Sequence, residues 1–301
     1  MYGVETENLT RKFGDFTAVN QVSLKIKKGS IYGFLGPNGS GKSTTIRMLC
    51  GILRPTSGSG KILDLDLESE REVIKSKIGY MSQKFSLYDD LTVLENLEFY
   101  AGMYSLPREM KRKRIQEMLE MAGLKGKEKE LVSHLSGGWK QRLALGCSIL
   151  HNPPILFLDE PTGGVDPQSR RMFWEIIYNL ATQGTTVMVT THFMDEAEHC
   201  DEIGFIFEGN LIASGTPSTL KKDIPGTLLE ITTSEPMELL EDILQEKQSL
   251  IDAYIHGTKL HVLVEPPQVA KFKDFSYKII RPSLEDVFVF YVKSQRKELI
   301  G

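Results

Sequence analysis

Gly36, Gly41, Lys42 and Ser43 stand in the order G-x-x-x-x-G-K-S inside the stretch "GPNGSGKST" at 36–44. Small residues let the backbone curl until its N–H groups face phosphate oxygens. A lysine neutralises those oxygens, and the serine hydroxyl is a ligand for Mg2+. The run Gly36, Pro37, Asn38, Gly39, Ser40, Gly41, Lys42, Ser43 and Thr44 therefore reads as a nucleotide cradle, the plain alternative being a chance glycine-rich turn. A phosphate site also needs a carboxylate for the metal and a group that handles water. "ILFLDEP" at 155–161 offers both, with Asp159 at the end of an apolar strand to hold Mg2+ through its water shell and Glu160 just beyond to polarise water. Two solvated acids at a strand end are the bland reading of the same pair.

A second anion-friendly stretch, "LSGGWKQRLALG" at 135–146, sets Ser136, Gly137 and Gly138 ahead of an amphipathic helix. The first turn of a helix presents unpaired N–H donors and the positive end of its dipole. This one has no lysine and no metal ligand, so it is at most half a phosphate site; otherwise Ser136 is an ordinary N-cap.

The elements that must position these groups follow from periodicity. Residues 2 to about 35 alternate as strands and end in a continuous apolar run, "STTIRMLCGIL" is helical, and 31–52 reads as strand, loop, helix. Residues from about 85 to 130 are helical in pattern around Pro107. Beyond the second anion-friendly stretch come the strand "PILFLD", a helix at about 167–182, the strand "TTVMVTT", the helix "MDEAEHC" and two short strands around Gly209. Strands alternating with helices argue for a largely parallel sheet. "DIPG" at 223–226 breaks the pattern, and the remainder reads as a β-α-β-β-α-β layout. The expected division is a domain over 1–222, with a helical subdomain at about 84–150, and a small α+β, ferredoxin-like accessory domain over 223–301.

Composition narrows the classes. A formal charge of −4 over 301 residues does not supply the field expected of a protein that lives on phosphate backbones, so nucleic acid is not an expected partner. Cys50, Cys147 and Cys200 are far apart and suit a reducing compartment. No apolar run reaches the roughly 18 residues that cross a bilayer, and the N-terminus has no signal-peptide core, so the chain is expected to be soluble unless a membrane partner holds it. His192, Glu196 and His199 have a spacing open to metal ligation, although "FMDEAEHCDE" reads better as a solvated acidic face. "REMKRKRIQE" at 108–117 likewise reads as a solvated face rather than a nucleic-acid patch.

Taken in order, "GPNGSGKST", "LSGGWKQR", "ILFLDEPTGGVDP" and "TTH" resemble the nucleotide-binding subunit of an ATP-binding cassette (ABC) transporter, over about residues 4–220. The tail "RPSLEDVFVFYV" resembles that of the drug and antibiotic exporter branch. The resemblance implies an α/β fold: a P-loop NTPase sheet with an antiparallel β edge and a helical subdomain. It implies ATP and Mg2+ as cofactors, Lys42, Glu160 and His192 as catalytic groups, and Ser43, Gln83 and Asp159 serving the metal. Phe13 matches the aromatic that stacks on adenine, where tyrosine is commoner, and His192 the switch histidine at the γ-phosphate. Read without the family, Phe13 is an edge-strand aromatic, Gln83 a surface amide and His192 a strand-end histidine. Ser136, Gly137, Gly138 and Asp166 match positions that complete the nucleotide shell of a second cassette, so the implied partners are another copy or a homologous cassette, and transmembrane permease subunits. Membrane placement is then peripheral, on the cytoplasmic face, through the permease, with Gln83 to Tyr88 as the stretch that meets it.

Trp139 departs from the usual glutamine of the LSGGQ pattern, and Gly163 and Gly164 replace a commoner serine-containing loop. The rival functions are a soluble cassette ATPase acting on ribosomes or DNA, and a nucleotide-gated binding module without turnover. One half cut from a longer tandem protein is a further reading.

Overall fold

The computed structural model describes residues 1–245 and 250–300. Its contacts divide the chain into two compact units, Met1–Ser214 and Gly215–Gly301. The division falls ahead of the break expected at 222/223 because the helix Pro217–Lys222 packs on the last helix, Leu284–Ile300.

The first unit is built on a six-stranded sheet in the order Asn210–Gly215, Glu202–Phe207, Ile31–Leu35, Thr186–Thr191, Ile155–Asp159, Ile78–Met81. Pairing is parallel from Glu202–Phe207 across to Ile78–Met81. The three middle strands are buried at every position, which is why Ile31–Leu35 and Ile155–Leu158 read as continuous apolar runs rather than as alternation, while Thr186–Thr191 mixes threonine with Val and Met. Register does the positioning: Leu35 pairs with Thr191 and Asp159 with Thr190. The three carboxyl ends therefore stop at one level, and the residues that follow them, Gly36, Glu160 and His192, share one edge of the sheet.

A second, antiparallel sheet runs Phe16–Val22, Tyr2–Phe13, Ser57–Ile62, Leu65–Asp66, with Lys25–Lys27 also on Tyr2–Phe13. Val4, Leu9 and Ile26 from this sheet share one core with Phe34 and Phe157 from the first and with Ile46 and Leu49 of the helix Lys42–Leu49. Three helices, Val93–Met103, Arg108–Ala122 and Gly137–Ile149, form the helical region. In the basic run, Ile115, Met118 and Leu119 turn inward, while the Arg114 guanidinium caps the carbonyls of Ile149 and Leu150 and pairs with Glu117. All three cysteines are buried. Among the described residues no helix is long and apolar enough to cross a membrane. This is the mixed α/β architecture expected for the first unit.

The second unit carries a four-stranded antiparallel sheet in the order Leu250–His256, Lys259–Val264, Thr227–Ile231, Tyr277–Ile280. The chain between the last two sequential strands forms a short 3-10 helix, Pro266–Phe272. The helix predicted from Pro236 is described to Gln245, and its expected last turn lies outside the described residues.

One polar cluster ties the last helix to this sheet. Asp286, 2% exposed, accepts from Tyr254 Oη at 2.6 Å, from His261 Nδ1 at 2.8 Å and from the Ser283 backbone N–H at 2.6 Å. Burial pushes its pKa up, but the bonds from His261, Tyr254 and Ser283 outweigh it and hold the carboxyl well below the usual carboxylate range. A depressed folded-state pKa contributes stability above the unfolded value near 4, and that contribution is lost as pH falls through the folded value. Asp286→Ala is accordingly expected to cost about 3 kcal/mol at pH 7. In urea titrations the gap between wild type and variant should be full at pH 6–8 and shrink steadily below about pH 4.

Candidate active site

The cradle closes as its glycines require. A Cβ at Gly36 would lie 2.1 Å from the Ile206 carbonyl, and one at Gly41, where φ is +108°, would lie 2.5 Å from the Ala18 carbonyl. Gly39 also has a left-handed φ, +80°. Neither approach leaves room for a side chain. The loop delivers the chain into the helix Lys42–Leu49, whose N-cap Gly41 makes no side-chain cap and whose first turn holds no acid. Its opening N–H groups are left for an anion. The Ser40 hydroxyl is 3% exposed and has no hydrogen-bond partner among the described residues, an acceptor-hungry group inside the cradle.

Lys42 is 3% exposed, and its ammonium donates to the carbonyls of Gly36 at 2.8 Å and Pro37 at 3.0 Å while standing 3.0 Å from Glu160 Oε1. A buried cation needs such compensation. Glu160 is held at φ +47°, a left-handed backbone unusual for a residue that also precedes proline. Strain of this kind costs about 1–3 kcal/mol and persists only where neighbours enforce it. Here the Glu160 N–H donates to Thr190 Oγ1 at 2.9 Å and to the Thr190 carbonyl at 3.1 Å, so the next strand enforces it. The turned backbone aims the carboxylate along the sheet edge, where Gln83 Nε2 donates to Oε2 at 3.1 Å and His192 Nδ1 lies 3.5 Å from the same oxygen. Lys42, Gln83 and His192 come from three separate elements and meet on one carboxylate.

Asp159, 1% exposed, accepts from Ser43 Oγ and from Thr190 Oγ1, both at 2.9 Å on Oδ1. The Ser43 hydroxyl and the Asp159 carboxylate, 2.9 Å apart, are hard oxygen donors of the kind a divalent cation such as Mg2+ takes, while Gln83 stands beside Glu160 with its amide nitrogen on that carboxylate.

The second stretch is built differently. Ser136 is the N-cap of Gly137–Ile149 by backbone geometry, yet its side chain makes no cap bond and is exposed. Gly137 opens onto free space, whereas a Cβ at Gly138 would lie 2.2 Å from Ser169 Oγ. Gln141 in the same helix donates to the Pro161 carbonyl at 2.7 Å, fastening the helix to the loop after Glu160. Among the described residues no hydrogen bond or ion pair joins Ser136, Gly137 or Gly138 to the 36–44 cradle. Asp166 is exposed and caps its own helix, Pro167–Thr182, through Ser169 N–H at 2.9 Å. Trp139 is half-buried, with the Lys127 ammonium 4.1 Å above its ring, a contact worth about 0.5–1 kcal/mol. Gly164 takes φ +71° in open space. Phe13 ends its strand 47% exposed, with the Arg11 guanidinium 4.5 Å over the ring.

One sequence reading changes, at Glu196. His199 stands apart from it by side chain: its Nδ1 meets Tyr178 Oη at 2.7 Å and its ring packs by Trp174, and no metal-type cluster is found among the described residues. Glu196 is no part of a solvated face, being 1% exposed and receiving the Thr162 hydroxyl. Sequence reading also passes over Thr190, which braces both Asp159 and Glu160; it is one of three threonines in a fully buried strand, so its type does not single it out.

The family model for ABC transporter matches residues 19–163. The probable multidrug ABC transporter ATP-binding protein YbhF of Escherichia coli is 53% identical over 218 residues, 72% of this chain and 38% of that protein, so the chain spans well under half of that relative's length. The linearmycin resistance ATP-binding protein LnrL of Bacillus subtilis is 38% identical over 261 residues, covering 86% of this chain and 84% of LnrL. Among solved structures, the dimeric post-hydrolysis state of the ATP-binding cassette MJ0796, bound to ADP and Pi, is 31% identical with a TM-score of 0.65, covering 71% of this chain and 98% of that one.

Proposed function

Since the chain belongs to the ABC transporter family, we propose that it is the ATP-hydrolysing subunit of a membrane exporter and works as a head-to-tail pair of cassettes. The observation that carries this is the convergence of Lys42, Gln83 and His192 on the strained, buried carboxylate of Glu160, beside a cradle that fits phosphates. In this reading the cradle N–H groups and Lys42 hold the β- and γ-phosphates, and Glu160 orients a water and takes its proton as the water oxygen bonds to the γ-phosphorus. The bond to the β-phosphate oxygen breaks, leaving ADP and inorganic phosphate. His192 and Lys42 stabilise charge on the transferring group, and Phe13 stacks on the base. Ser43, Gln83 and Asp159 would hold Mg2+, which when bound neutralises phosphate charge.

Among the described residues Ser136, Gly137 and Gly138 make no hydrogen bond or ion pair with the 36–44 cradle, and we assign them, with Asp166, to the γ-phosphate held by a partner cassette. ATP bound between two chains draws them together, and loss of the γ-phosphate contacts releases them. Transport requires a membrane path, which we assign to permease subunits met through Gln83 to Tyr88; Tyr88 is 43% exposed and is held by Asn96 through its N–H and carbonyl. In this proposal the chain sits peripherally on the cytoplasmic face. We assign residues 215–301 an accessory role, and the names of the relatives favour export over action on ribosomes or DNA.

A mixing experiment tests the pairing. Ser136→Asp and Lys42→Ala chains should each be inactive alone, one through repulsion of the γ-phosphate and the other through loss of the cradle cation. Mixed in equal amounts, about a quarter of wild-type turnover should return, because half of the pairs are mixed and each mixed pair keeps one of its two sites with an intact cradle and an intact Ser136. No recovery on mixing, with dimers present by light scattering, would count against shared sites.

A further inference from the structure

Next to His192 lies a cluster that the proposed reaction does not use. The Arg170 guanidinium carbon sits 4.3 Å from the centre of the Phe193 ring, and the His192 imidazole lies against the same ring at 4.1 Å with 36° between planes. Arg170 Nε is 3.5 Å from Glu196 Oε1, and Nη1 is 3.5 Å from Asp195 Oδ2. Glu196, 1% exposed, also receives the hydroxyl of Thr162, the second residue after Glu160. One guanidinium thus touches the segment that carries His192 through both its aromatic and its acids, and the acid it grips is tied to the loop that carries Glu160.

The cluster looks poorly suited to be mere scaffolding. The helix that bears Arg170 is already started by Asp166 and Pro167 and is anchored by buried Phe173, Trp174 and Ile177. Arg170 Nε and Glu196 Oε2 both lack a well-aligned hydrogen bond, so the ion pair is loosely seated for a buried one. What a planar cation stacked on Phe193 does supply is orientation, since a flat guanidinium over a ring restricts the ring's tilt and hence that of the imidazole lying on it.

We infer that Arg170 is a positioning residue: acting through Phe193 it sets the His192 ring relative to the Glu160 carboxylate, with Glu196 and Thr162 keeping the two loops in step. The inference rests on the hydrolysis reading above. It requires that the effect of Arg170 pass through His192, which a stability role would not.

The test is a double-mutant cycle on the full chain, measuring kcat and KM for ATP and the melting temperature. Arg170→Met should lower kcat about tenfold with KM changed less than about twofold, since displacements well under an ångström at a reacting centre have effects of this size. Arg170→Lys keeps a cation for Glu196 but loses the planar stack, and should recover only part of the loss. In a His192→Ala background, Arg170→Met should lower kcat by less than about twofold further. Should Arg170→Met fail to fold, Phe193→Leu carries the same comparison. Equal losses with and without His192, or an unchanged kcat in Arg170→Met, overturn the positioning role. Lys42→Ala separates the two layers: if it is inactive while Arg170→Met is normal, only the positioning role falls, whereas a Lys42→Ala chain that turns over like wild type overturns the hydrolysis reading and this inference with it.

Discussion

Glu160→Gln is expected to lower ATP turnover by about a thousandfold, near the middle of the range for loss of a general base, and to leave ATP bound. The reason lies in what the amide keeps and what it gives up. It keeps the size of the side chain, and the left-handed backbone is untouched because the Glu160 N–H is held by Thr190. It gives up the negative charge that in the proposed reaction takes the water's proton, and that pairs with Lys42 at 3.0 Å. Freed of that partner, the Lys42 ammonium is available to phosphate alone, so nucleotide affinity should be held or raised while bond cleavage stops. The variant should collect as a nucleotide-bound pair on size exclusion. In the absence of nucleotide it should also be less stable than wild type by about 3 kcal/mol, because a cation 3% exposed has lost its counter-charge, and added ATP should restore the difference. A variant that stays monomeric in ATP and retains full turnover rejects the role.

The second large effect is expected at the other end of the same pair. Lys42→Ala should weaken ATP binding at least about a hundredfold in calorimetric titration, since in the proposed site it removes a buried, charge-assisted contact to phosphate for which the loop has no other cation. Lost stability alone could imitate this, because the substitution strands Glu160, 9% exposed, without its cation. Combining Lys42→Ala with Glu160→Gln separates the two: the double variant removes both charges and should regain most of the melting temperature while still failing to bind ATP. Binding at wild-type affinity in either Lys42→Ala chain would remove the cradle from the account.

The tail shows how far sequence pattern carries. Strand, helix, strand and strand are readable between residues 227 and 264 from alternation and turn residues, but nothing local reveals that Thr227–Ile231 lies between Lys259–Val264 and Tyr277–Ile280. Nor does the tail "RPSLEDVFVFYV" announce that Asp286 is the group on which Tyr254 and His261 converge. These partners are 25 and 32 residues away in sequence.

The same division holds at the site. Sequence alone determined what short-range sterics and burial dictate: a glycine loop that only glycines can close, an apolar run that must be a central strand, and therefore Asp159 at its end and Glu160 beyond it. Tertiary structure decided which strands lie side by side and in what register. That register puts Thr190 beneath Asp159 and Glu160, and brings Lys42, Gln83 and His192 to one carboxylate from positions that no periodicity relates. It also buried Glu196 inside a stretch whose charges look solvent-facing, because the Thr162 hydroxyl and the Arg170 guanidinium were already there to meet it. Local pattern reports a residue's preference for water; the partner that reverses that preference is supplied only when distant segments pack.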